Sequence, residues 1–152
     1  NSPPDLIITD TQALRLVKPL VPKESRLTTF SILFAARKGD IDYFRKSAKV
    51  MDSLTEHSHI LIAEACSHAP VGEDIGRVKI PRLLRQKAGE QLNIHIVAGN
   101  DFPDDLSPYD LVIHCGACMF NRTQMLARVE QAKSQNVPMT NYGVAVTHLL
   151  SI

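Results

Sequence analysis

The three cysteines of this 152-residue chain fall in two short clusters, Cys66-Ser67-His68 and His114-Cys115-Gly116-Ala117-Cys118, each with histidine close by. Thiolates and imidazoles gathered in this way are ligands for zinc or for an iron–sulfur cluster. Two residues between Cys115 and Cys118 let both sulfurs face one centre as the chain turns from strand to helix. Gly116 is expected to permit a turn that a side chain would obstruct. Backbone N–H groups at the start of the following helix would lower thiolate pKa values and donate to cluster sulfides. One such cysteine alone would read as a small buried hydrophobe. Three of them, with two histidines, make ligation the better reading. Structural zinc closes four ligands, which Cys66, Cys115, Cys118 and either His68 or His114 would supply. A four-iron cluster on the same three thiolates would leave one iron open. Spacing alone leaves Zn2+ and iron–sulfur equally supported.

Both clusters directly follow apolar runs that read as buried strands, Ile60–Ala65 and Leu111–His114. The rest of the chain alternates strand and helix. Leu6-Ile7-Ile8 reads as a strand, and Thr9-Asp10-Thr11 as caps for a helix through about Lys18. Two prolines in Lys18–Ser25 mark a linker. Leu27 to Ala35 is rich in β-branched and aromatic residues and ends at Gly39. Asp40 is an N-cap candidate for a helix with Ile41, Phe44, Ala48 and Met51 at helical spacing. A helix from about Pro81 would turn Leu83 and Leu84 inward and Arg82, Arg85 and Lys87 outward. Asn93–Val97 is a strand, and Asn121 caps a helix bearing Met125, Leu126, Val129 and Ala132. A last short strand, Val137–Thr140, delivers Asn141-Tyr142-Gly143.

Continuous apolar strands between helices imply an α/β fold, a parallel sheet with helices on both faces. Ligands of such sheets sit beyond the strand C-termini, a rule that puts Cys66, Cys115 and Asn141-Tyr142-Gly143 on one rim. The loops Ser67–Arg77 and Gly99–Pro108 bound that rim and are read as able to move. The division expected is residues 1–24 as the tail of a preceding domain plus linker, and 25–152 as the metal-binding domain.

Composition excludes several classes. A net charge of +1 gives no electrostatic case for nucleic acid or a membrane surface. No apolar stretch approaches the ~20 residues of a membrane span, and no leader pattern is visible. An odd cysteine count with a close pair argues for reduced thiols and a cytoplasmic setting. A start at Asn1 reads as a fragment or a trimmed product. Gly72–Val78 superficially suggests a phosphate loop but has the wrong glycine spacing and no Lys-Ser/Thr. Asp101, Asp104 and Asp105 read as a solvated loop, and the basic residues from Lys79 to Lys87 as a wet helix face. His57, His59, His95 and His148 receive no role, and no Ser/His/Asp set supports nucleophilic catalysis.

With the ligand set in view, the sequence resembles the C-terminal part of the HydF family, the maturation GTPases of [FeFe]-hydrogenases. That family's pattern is Cys-x-His, a long gap, then His-Cys-x-x-Cys; here the gap between His68 and His114 is 45 residues, at the short end of the family's range. Ile62–Cys66, Asp74–Pro81, Val112–Cys118, Thr140–Gly143, Asp5–Asp10 and Phe30–Ala35 share the likeness, which covers nearly the whole chain. The resemblance implies a [4Fe-4S] cluster on Cys66, Cys115 and Cys118, with His68 and His114 as fourth ligand or close neighbours. It implies a scaffold or carrier for the precursor of the hydrogenase diiron subcluster. The partners implied are radical-SAM maturases, the apo-hydrogenase and a second copy of the chain. The family's GTPase domain is expected to be absent, so no catalytic activity is assigned. Two readings stand beside this one: a structural zinc-binding interaction domain, and a cluster-dependent lyase or dehydratase whose open iron acts as a Lewis acid.

Overall fold

The computed structural model describes residues 2–65, 74–116 and 121–150. Strand β1 (Leu6–Thr9) leads through a single helical turn, α1 (Leu14–Val17), to β2 (Arg26–Thr29). Helices α2 (Phe30–Lys38) and α3 (Ile41–Ala48) follow. Then come β3 (His59–Glu64), α4 (Ile80–Ala88), β4 (Asn93–Ala98), β5 (Leu111–His114), α5 (Arg122–Ser134), β6 (Met139–Asn141) and α6 (Tyr142–Leu149). All strand pairs are parallel. They form a two-stranded sheet, β1-β2, and a four-stranded sheet ordered β4-β3-β5-β6.

The α/β expectation is met. Ile60 to Ala63 and Leu111 to His114 are buried without a break. An alternating pattern would leave one face wet, so helices cover the sheet on both faces at β3 and β5. From β3 the chain steps one way to β4, and from β5 the other way to β6. Right-handed crossovers therefore put α4 and α5 on opposite faces.

Local chemistry explains where the helices begin. The Asp40 carboxylate accepts from the Tyr43 N–H at 3.1 Å and caps α3. Asn121 and Gln124 form a reciprocal capping box at α5. Pro81 lies in the first turn of α4, where its missing N–H costs nothing. Phe44, Ala48 and Met51 are buried, as are Leu83, Leu84, Met125, Val129 and Ala132.

One N-terminal reading is corrected, and another is met in part. The first helix ends at Val17, close to the expected Lys18, but begins only at Leu14; Asp10 accepts from the Ala13 N–H at 2.7 Å, and Lys18–Leu20 continues as a 3₁₀ turn that holds Pro19. The run Leu27–Ala35 is divided. Thr29 ends β2, and its hydroxyl accepts from the Ile32 N–H, which starts α2 despite the β-favouring residues that follow. The segment holding Pro19 and Pro22 links two paired strands, since Leu6 to Thr9 run in register with Arg26 to Thr29.

The N-terminal piece is bonded directly to the large sheet at Asn141. Asn141 caps α6 through the Val144 N–H, and its amide donates to the Ser31 carbonyl at 3.1 Å. Beside it, a β-carbon on Gly143 would stand 2.2 Å from the Ser31 β-carbon. Gly143→Ala forces α2 and α6 apart, an overpacking that costs about 1–3 kcal/mol. The expected result is a melting temperature lower by roughly 2 to 12 °C, at about 2–4 °C per kcal/mol. An unchanged melting temperature would show that α2 yields without cost.

Candidate metal centre

The strand ends are level. Ala63 pairs with His114, His114 with Asn141, and Glu64 with Ala98. Cys115 continues directly from β5, is 7% exposed, and donates its N–H to the Ala63 carbonyl at 2.9 Å. The Ala65 N–H in turn lies 3.0 Å from the Cys115 Sγ and donates to it. The Cys115 sulfur therefore rests against the chain one residue before Cys66 in the sequence. Cys66, His68 and Cys118 lie outside the described residues. Among the described residues no three His, Cys, Asp or Glu side chains gather as a metal site.

His114 is described, and its ring is engaged at both nitrogens. Its Nδ1 is 2.9 Å from the Cys115 carbonyl, which only accepts, so Nδ1 carries the proton. Its Nε2 lies 2.7 Å from an Arg128 Nη, which only donates, so Nε2 accepts. Burial pushes the imidazole down to about 4, with the Arg128 charge adding to the fall and the Cys115 carbonyl opposing it. Arg128 is itself fixed by the Gly99 carbonyl at 2.9 Å and by the Phe102 ring, 4.4 Å from its guanidinium carbon. Sequence reasoning missed Arg128 and Phe102. Neither carries a local signal, because each meets His114 only through the fold.

Across the rim, Arg77 grips Glu64 with two hydrogen bonds of 2.8 and 3.0 Å. Asp74 caps the wide π-type turn Ile75–Lys79 by accepting from the Arg77 N–H. The Tyr142 hydroxyl is buried and has no hydrogen-bond partner among the described residues. It lies directly over Gly76, where a β-carbon would stand 2.0 Å from the oxygen.

At Gly116 the φ is not left-handed, and among the described residues a β-carbon would meet only the Ser31 Oγ, at 3.9 Å. One expectation needs correction. The segment Gly99–Pro108 is not a loose loop. Leu106 is fully buried, its N–H donates to Gln135, and the Gln131 and Gln135 amides donate to the Pro103 and Asp104 carbonyls. Asp101, Asp104 and Asp105 are exposed, as a solvated loop requires.

The described half of the site suits a sulfur-bound metal group. An amide aimed at a cysteine sulfur stabilises the thiolate, and an unpartnered buried hydroxyl at the same rim offers a second donor. A family model described as the hydrogen maturase F tetramerization domain matches residues 42–152, and one described as the hydrogen maturase F dimerization domain matches residues 1–39.

The chain belongs to the hydrogen maturase F family.

Its role lies in hydrogenase maturation, and both matched regions of the hydrogen maturase F chain are assembly domains, which supports self-association. The border between the two matches falls between α2 and α3, so α2 belongs to the dimerization match and the whole four-stranded sheet to the tetramerization match. Neither match describes a GTPase domain. No curated protein matches the chain. No helix among the described residues is long and apolar enough to cross a membrane.

Proposed function

We propose that this chain is a [4Fe-4S] cluster-binding scaffold or carrier module in maturation of the [FeFe]-hydrogenase active site. The observation that carries the reading is the position of the Cys115 sulfur. It lies at the level end of the central strands, held by the amide of the residue that precedes Cys66. Cys66, Cys115 and Cys118 would hold the cluster, which supplies an iron site able to take an incoming ligand. His114 acts from behind: its Nδ1–H fixes the Cys115 carbonyl, and Arg128 fixes the ring. That leaves His68 or an exogenous group for the fourth iron. Radical-SAM maturases and the apo-hydrogenase are the partners this role calls for.

Anaerobic incubation with iron and sulfide tests the reading. The expected product holds iron and sulfide in equal amounts and gives a reducible EPR signal. A colourless protein holding one tightly bound zinc would replace it with a structural zinc domain. A carrier must also release what it carries, so the site should stay open. Cyanide or free imidazole is expected to change the EPR spectrum of the reduced cluster without bleaching it. A spectrum unmoved at saturating ligand would refute an exchangeable iron.

A further inference from the structure

The Tyr142 hydroxyl has no hydrogen-bond partner among the described residues, although a buried hydroxyl normally finds one. Its position is held from two sides. Tyr142 follows Asn141, the β6 residue in register with His114, so its ring starts from the strand beside Cys115. At its far end the hydroxyl fills the place a side chain would take on Gly76, in the turn Ile75–Lys79. Burial pushes the phenol pKa up, and the Cys115 sulfur, Glu64 and Asp74 push it further, with Arg77 opposing. Burial and the negative charges together keep the hydroxyl a neutral donor at physiological pH.

Resting on the cluster reading above, we propose that the Tyr142 hydroxyl is a positioning and tuning donor, giving its hydrogen bond to a sulfur of the metal group bound at Cys115. A hydrogen bond to sulfur favours the more negative, reduced state of a cluster and so raises its reduction potential. Tyr142→Phe removes the oxygen and keeps the ring. Gly76→Ala keeps the tyrosine and drives the oxygen from its seat; the Gly76 φ is not left-handed, so the backbone accepts alanine.

The test is a potentiometric EPR titration of the reconstituted full chain and both variants, with melting of each chain before and after loading. Both variants are expected to bind iron and sulfide as the unaltered chain does. Both should be harder to reduce, by about tenfold in the reduction equilibrium, roughly 59 mV for one electron. Before loading, Tyr142→Phe should melt no lower than the unaltered chain, since the hydroxyl has no partner among the described residues. After loading, it should gain less stability from the cluster. Failure of the unaltered chain to take up a cluster would overturn the cluster reading itself. Normal loading with the same potential in both variants would overturn only the role of Tyr142. If Tyr142→Phe does not fold, Gly76→Ala decides, its unshifted potential counting against the donor.

Discussion

Cys115→Ser is expected to leave the chain folded and strip it of iron. Serine is smaller than cysteine, so it fits a position only 7% exposed, and its oxygen still accepts from the Ala65 N–H that now meets the sulfur. A hard hydroxyl is a poor substitute for a soft thiolate toward iron in a sulfide cluster. Changing even an outer partner of a metal ligand typically costs about 10–100-fold in affinity, and the ligand itself should cost at least that. Cys66→Ser and Cys118→Ser are expected to show the same loss, although 48 residues separate Cys66 from Cys115 and two separate Cys115 from Cys118. Iron and sulfide analysis after reconstitution, with melting of the unloaded variants, separates ligation from folding. Full iron content in the Cys66 variant would remove Cys66 from the ligand set. Full content in the Cys115 variant would end the proposal that the rim of β3 and β5 is the site.

The parallel sheet was legible because its central strands hold unbroken apolar runs, Ile60–Ala63 and Leu111–Ile113. Leu111–His114 has the same bounds in sequence and structure, and Ile60–Ala65 is displaced by one residue. Caps were legible where an Asx side chain stands alone before an apolar pattern, as at Asp40 and Asn121. The stretch Leu27–Ala35 was not, because a single buried hydroxyl at Thr29 outweighs the β-propensity of Phe30, Ile32 and Phe34. The candidate site follows the same division. That Cys115 reaches a strand end beside the residue preceding Cys66 follows from the sheet rule and the apolar runs. That His114 is occupied at both nitrogens does not, since Arg128 lies on the following helix and nothing near it in sequence signals the contact. Gly76 was visible as part of a poor phosphate loop and of the stretch Asp74–Pro81, with nothing to link it to Tyr142. Its close approach to Tyr142 depends on two segments brought together by the fold.

His114 should make the metal-free chain sensitive to mild acid. The imidazole is fully buried and neutral, and its pKa falls from 6.5 to about 4. The unfolded chain therefore binds a proton at a pH where the folded chain does not, and stability falls as pH falls. The stabilisation is complete above pH 6.5, is lost progressively below it, and is exhausted once pH passes the folded value near 4. Between pH 7 and pH 5 this one group should remove about 2 kcal/mol of stability. Asp40, Asp52 and Asp105 do not obscure the window. Their pKa values are lowered from 3.8, so their contributions are lost mainly at more acid pH. His114→Gln supplies the control: a glutamine amide donates toward the Cys115 carbonyl, accepts from Arg128 and does not titrate. Urea unfolding of the metal-free chain at pH 7 and pH 5 should show a loss in the unaltered protein that is smaller by about 2 kcal/mol in the variant. Equal losses in the two proteins would mean that the imidazole accepts a proton without unfolding. The Arg128 guanidinium would then have to move away from His114, and the support behind Cys115 would be lost with it.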